Sequence, residues 1–211
     1  MGSAASCKAP SKYGHQTSSD VIMHDFGVNA DGKHVIVTGS NSGLGFETAR
    51  SLAKYGAIVT IACRSEKNGL EAVAKIKIEV VGAQVSFLPL DLASLSSVRA
   101  FAAEYKSSGK PLHFLVNNAG VMACPKTFTA DGLEMQFGVN HIGHFLLTTE
   151  LLDLLKSSGT VSNPSRVVTL SSYAPFLFAP SVGIRMDDLK GSNFRRQKNC
   201  PPIASNCENY L

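Results

Sequence analysis

The chain has 211 residues, 44% of them hydrophobic and 17% charged, with a formal net charge of +4. That length suits a single globular domain with a buried core. The charge excess, partly carried by Lys8, Lys12, Arg195, Arg196 and Lys198 near the ends, forms no basic stripe interleaved with aromatics, which excludes a nucleic-acid-binding surface.

Residues 1–30 are rich in Ser, Gly, Ala and Lys, lack periodicity and read as a flexible leader. The start, "MGSAAS", fits the pattern for N-myristoylation on Gly2, with Cys7 and Lys8 beside it as a palmitoyl or basic second signal. One acyl chain alone gives marginal membrane binding, so contact with a membrane surface needs that second signal. The other reading is a Ser/Ala/Gly leader without such a role. No apolar run reaches the ~18 residues of a membrane span. Cys7, Cys63, Cys124, Cys200 and Cys207 form no CxxC pair and read as reduced thiols of a cytoplasmic protein, membrane-associated only through acylation.

From His34 the pattern becomes regular. "HVIVTG" is an apolar run bounded by turn signals, a strand buried on both faces. "GLGFETARSLAKYG" reads as a helix with Leu44, Thr48, Leu52 and Tyr55 on its inner stripe. "AIVTIACR" is a second strand. The helix after it carries Leu70, Val73, the Lys77 stem and Val81 on one side and stops at Gly82. "QVSFLPL" is a third strand, followed by Asp91 and a helix capped by Ser94 with Leu95, Val98, Ala102 and Tyr105 inward. "LHFLVNNAG" is a fourth strand, then comes one long helix over about 131–156 with Ile142, Phe145, Thr149 and Leu152 as its buried face. "RVVTLSS" is a fifth, buried strand that delivers Ser171 and Ser172. Strands alternating with helices predict an α/β fold, a Rossmann-type doubly wound parallel sheet of about five strands over 31–180, with ligands beyond the strands' carboxyl ends. Residues 181–211 show neither period, and Pro201–Pro202 forbid regular structure there.

"TGSNSGLG" joins the first strand to the first helix. Its residues Gly39, Ser40, Asn41, Ser42, Gly43, Leu44 and Gly45 let the backbone approach a pyrophosphate at the positive end of a helix. Alone, such a turn could be only a tight strand–helix connection; here it opens an alternating pattern. At the end of the second strand an acidic residue would suit NAD, whereas this chain has Arg64. A guanidinium there suits the 2′-phosphate of NADP, unless it is an ordinary surface arginine. Asp91, with Leu92 after it, is placed to accept from an adenine amino group or to cap a turn. Asn118, Ala119 and Gly120 in "NNAG" present backbone groups beneath a cofactor or form a simple turn.

Together these motifs resemble the short-chain dehydrogenase/reductase family over roughly Lys33 to Ser172. "ACR", "LDLASLSSVRAFA", "LVNNAGVM", "VNHIGHFLLT" and "RVVTLSS" are similar to its retinol dehydrogenase and WW-domain oxidoreductase branch. The resemblance implies NADP(H) held by Gly39, Gly43, Gly45, Arg64, Asp91 and the Asn118 turn. Hydride would move to or from a carbonyl or alcohol on a lipophilic small molecule such as a retinoid or steroid. Asn140 would organise a water in a proton relay, and Ser172 would hydrogen-bond the substrate oxygen. His141 and His144, an H-x-x-H pair with no further ligands in view, take packing roles, and no metal is expected.

The family pattern also needs Tyr-x-x-x-Lys after the fifth strand, where the lysine lowers the tyrosine's pKa. Between Ser172 and Leu211 the tyrosines are Tyr173, too close to the serine, and Tyr210, with no lysine after it. The sequence diverges from the family pattern after about Lys190. The expectation is a chain lacking the C-terminal part of the full fold, through truncation, splicing or a shifted frame. Its fifth strand would then have an open edge, and the homodimer is in doubt because a usual interface helix is missing. A non-catalytic nucleotide-binding isoform is the alternative to an enzyme.

Overall fold

The computed structural model describes residues 12–14 and 16–173. Strands β1 (His34–Thr38), β2 (Ile58–Cys63), β3 (Val85–Pro89), β4 (Phe114–Asn117) and β5 (Arg166–Thr169) form one sheet in the order β3-β2-β1-β4-β5. Every pairing is parallel. The helices are α1 (Ser19–Asp25), α2 (Gly43–Lys54), α3 (Glu66–Glu79), α4 (Leu95–Ser107), α5 (Met135–Phe137) and α6 (His144–Ser158), with a π-helical turn over Gly138–Gly143 between the last two.

The period-two alternation of β1 sorts its side chains between two cores. Val35 and Val37 join Phe46, Ala49 and Ala53 of α2 and Val73 and Ile76 of α3. Ile36 joins Val98 and Phe101 of α4 and Leu147, Leu151 and Leu155 of α6 on the other face. A fully buried Val, Ile or Leu contributes about 1.5–3 kcal/mol, so these two layers fix the sheet that carries the loops. The chain runs outward from β1 to β3, then returns to β4 on β1's other side. The C-terminal end of β1 is therefore the switch point where α/β sheets open a crevice.

The five strands and the parallel, doubly wound sheet agree with the sequence pattern. The helix phases do not all agree. On α2 the buried residues are Gly45, Phe46, Ala49, Ser51 and Ala53, while Leu44 is 75% exposed. Small residues mark the inner face there because α2 lies close to the sheet. On α3 the inner residues are Gly69, Ala72, Val73 and Ile76, and Leu70 and Val81 point outward. The long helix is interrupted by the π turn. Its buried residues are His144, Leu147, Leu151 and Leu155, leaving Phe145 65% exposed.

Two further expectations change. The leader is not featureless throughout, since α1 is capped by Ser18 and docks on α2. Ser19 Oγ lies 2.6 Å from Ser51 Oγ, Lys54 Nζ donates to Asp20 at 2.9 Å, and Tyr55 Oη donates to the Asp20 carbonyl at 3.2 Å. A seven-residue helix with no buried residue leaves no periodic stripe to read. And β5 is not buried: all four of its residues are exposed, because it pairs with β4 on one side and is an edge among the described residues. Gly2, Cys7 and the tail from 174 onward lie outside the described residues.

Candidate functional site

A cavity of about 480 Å³ opens across the carboxyl ends of the strands, from Gly39 after β1 and Arg64 after β2 to Asp91 after β3, Asn118 after β4 and Leu170 after β5. Its near wall is the turn into α2. Gly39 and Gly43 have φ of +64° and +57°, the left-handed region that a side chain disfavours. A Cβ on Gly39 would lie 2.8 Å from the Ala119 Cα; one on Gly45 would strike Asn118 Nδ2 and lie 2.6 Å from the Gly39 carbonyl. Gly39 and Gly45 therefore let the turn pack against the floor at a distance that a side chain would not allow.

The amino end of α2 differs from those of α3 and α4. Ser65 and Ser94 cap their helices, accepting from the amides of Asn68 and Ser97. Ser42, in the same position on α2, makes no capping bond. The first amides of α2 therefore keep their partial positive charge at the cavity wall, the setting in which helix ends take up phosphate.

On the opposite side Arg64 is exposed and makes no ion pair among the described residues. Beside it, burial pushes the Cys63 thiol up, so it stays protonated. Asp91 uses Oδ1 to accept from the Ala93 amide at 2.9 Å, while Oδ2 has no partner among the described residues.

The floor is loop 118–121. The amides of Asn118 and Ala119 donate to Thr38 Oγ1, each at 2.9 Å, and Asn118 Nδ2 donates to the Thr38 carbonyl at 2.8 Å. Asn140 clasps Val121: Oδ1 accepts from its amide at 2.8 Å and Nδ2 donates to its carbonyl at 2.9 Å.

The cavity thus gathers Gly39, Asn41, Ser42, Leu44, Gly45, Arg64, Asp91, Leu92, Asn118, Ala119 and Gly120. It does not include Ser40, Gly43, Asn140 or Ser172 among its lining residues. Ser40 is buried beneath the turn, where its hydroxyl donates to the Val37 carbonyl at 2.6 Å. Gly43 starts α2 and faces the groove toward α3. Asn140 acts from behind the loop. Ser172 is exposed beyond β5. His141 is exposed on the helix surface, with the Phe137 and Phe145 rings 5.4 and 6.3 Å away. Met135 and Val139 line the cavity and were not anticipated, nor were the hydrogen-bonding roles of Thr38 and His144. The Asn140–His144 spacing, one helical turn, was the signal available for the last.

Chemically this is a binding surface. Its titratable lining residues are Cys63, Arg64 and Asp91. The amides and the guanidinium can hold phosphate groups, and the carboxylate can accept a hydrogen bond.

Residues 33–182 match the short chain dehydrogenase family model. The chain belongs to the short-chain dehydrogenase family. Mouse retinol dehydrogenase 12 is 49% identical over 164 residues, covering 78% of this chain and 49% of that protein. Human polyprenol dehydrogenase is 46% identical over 157 residues, covering 74% of this chain and 46% of that protein. These relatives make the chain retinol dehydrogenase-like, and it spans about half the length of the curated relatives it matches. Among solved structures, an uncharacterised Mycobacterium paratuberculosis protein superposes with a TM-score of 0.67 at 37% identity, covering 86% of this chain and 59% of that one. Pseudomonas aeruginosa RhlG in its NADP active-site complex gives 0.61 at 26% identity, covering 77% and 60%. No helix among the described residues is long and apolar enough to cross a membrane.

Proposed function

We propose that the chain binds NADP(H) in this crevice as the cofactor-binding part of an oxidoreductase acting on a carbonyl or alcohol of a lipophilic small molecule. The observation that carries the reading is the turn into α2: glycines whose Cβ would collide with the floor, and an uncapped helix end beside it. Arg64 at the crevice rim favours the phosphorylated dinucleotide, since a guanidinium pairs bidentately with phosphate. Asp91 Oδ2 would accept from the adenine amino group, and loop 118–121 would support the nicotinamide ribose region. The cofactor, when bound, supplies the hydride or its acceptor. The names of the retinol and polyprenol dehydrogenases among the relatives support the lipophilic substrate class.

Turnover also needs a proton at the substrate oxygen. By the family resemblance Ser172 would hydrogen-bond that oxygen and Asn140 would organise a water in the proton relay. No Tyr-x-x-x-Lys pair is written between Ser172 and Leu211. A second reading, cofactor binding without turnover, is favoured by that missing pair. Titration with NADPH and NADH, followed by NADPH oxidation with retinal and other aldehydes, tests both halves. Binding without oxidation is expected; oxidation that vanishes in Ser172→Ala would overturn the second half. Membrane contact through acyl groups on Gly2 and Cys7 belongs to the same reading. Mass spectrometry of the native N-terminus is expected to find Gly2 acylated, and an unmodified Gly2 removes the tether.

A further inference from the structure

Loop 118–121 is held at both ends, and both holds lead to one imidazole. At one end Thr38 Oγ1 receives the amides of Asn118 and Ala119. At the other, Asn140 clasps Val121. His144 lies between the two anchors: Nε2 is 2.9 Å from Thr38 Oγ1, and Nδ1 is 3.1 Å from the Asn140 carbonyl.

We propose that His144 is a positioning residue for the dinucleotide crevice, fixing loop 118–121 as a neutral imidazole that donates from Nδ1 to Asn140 and accepts at Nε2 from Thr38. Its effect on ligand affinity rests on the NADP(H) reading; its effect on the loop does not.

Hydrogen-bond accounting assigns the protons. The Asn140 carbonyl cannot donate, so Nδ1 carries the hydrogen, and a neutral ring then leaves Nε2 bare. Both lone pairs of Thr38 Oγ1 are taken by the two amides. Its proton goes to Nε2, the alternative acceptor being the Val116 carbonyl at 3.4 Å. A protonated ring would turn an N–H toward an oxygen with no lone pair to spare. The hydroxyl would have to rotate to Val116, and one loop amide would lose its partner.

His144 is 3% exposed, and burial holds its imidazole below the usual value. The groups facing it from β1, β4 and the loop are Thr38, the Val116 carbonyl and the two amides, all uncharged. His141, a turn earlier on the same segment, is the titratable group that acts on it, and also disfavours the charged ring. No carboxylate is among its partners to hold a proton on it.

The test uses the whole chain. Two-bond nitrogen–proton correlation on histidine-labelled protein at neutral pH is expected to show His144 as the Nδ1–H tautomer. An Nε2–H tautomer or an imidazolium would overturn the assignment whether or not a dinucleotide binds. NADPH titrations of wild type, His144→Phe and His144→Gln follow. The phenyl ring keeps the volume and loses both bonds; the glutamine amide can still accept from Thr38. His144→Phe is expected to weaken NADPH about tenfold while circular dichroism shows a folded chain. His144→Gln should stay within about threefold of wild type and lose the acid weakening expected of wild type once pH falls through the depressed His144 value, below the ordinary value of about 6.5. A His144→Phe that binds like wild type with the same pH profile sinks the proposal. If that variant does not fold, His144→Gln and the wild-type pH profile decide in its place. If wild type binds neither dinucleotide, the functional reading fails. Amide exchange at Asn118, Ala119 and Val121 then decides for His144: faster in the variants supports it, unchanged overturns it.

Discussion

Strands β1 and β5 are written in nearly the same letters, HVIVT and RVVT, yet they end up in opposite environments. Val35, Ile36 and Val37 are fully buried, whereas Val167 and Val168 are 40% and 46% exposed. The difference is position. β1 is hydrogen-bonded on both sides and covered on both faces, while β5 has β4 alone among the described residues. Apolar, β-branched composition makes a strand; neighbours make it buried. For function the consequence is asymmetric. The turn that β1 feeds is a finished cradle, and the serine that β5 delivers stands at an exposed edge.

Truncating the centre and the edge should separate them. Leu115→Ala on β4, fully buried, is expected to cost about 3 kcal/mol in urea unfolding, within the roughly 2–5 kcal/mol of such cavities. A loss below about 1 kcal/mol there would break the comparison. Gly45→Ala pushes a Cβ against Asn118 and the Gly39 carbonyl, and should cost about 1–3 kcal/mol and remove NADPH binding. Arg64→Ala should weaken NADPH roughly tenfold, about 1.4 kcal/mol, and leave NADH unchanged in a parallel titration.

A graded effect of pH is expected from the centre as well. Burial holds His144, His34 and His113 below their ordinary value in the fold. Below about pH 6.5 the unfolded chain then binds more protons than the folded one, so stability is full above that pH and falls as pH drops through it. Thermal melts across that range, for wild type and His144→Gln, check the sign. The smallest effect belongs to the edge: Val168→Ala should change stability by less than about 1 kcal/mol.

The same contrast explains what could be read in advance. The strands were legible because buried parallel strands are continuous apolar runs, and the cradle because Gly39, Gly43 and Gly45 sit between a strand and a helix. Helix phase was not. In 144–155 nearly every position is apolar, so Phe145 and Leu152 compete with Leu147 and Leu151 for the inner face. The π turn before them shifts a phase counted at 3.6 residues per turn. Close approach of α2 made Ala49 and Ala53 the inner residues where larger Leu44 looked the better choice. Ser40 reads with its neighbours as part of a phosphate-binding turn; only the turn's geometry sends its hydroxyl inward to Val37. The exposure of β5 depends on what lies beside it, which no local pattern encodes.

Calorimetric titration of the purified, folded chain with NADPH and with NADH tests the cradle most directly. Saturable binding of NADPH at least about tenfold tighter than NADH is expected. No heat from either dinucleotide at millimolar concentration, with the chain still folded, would contradict it.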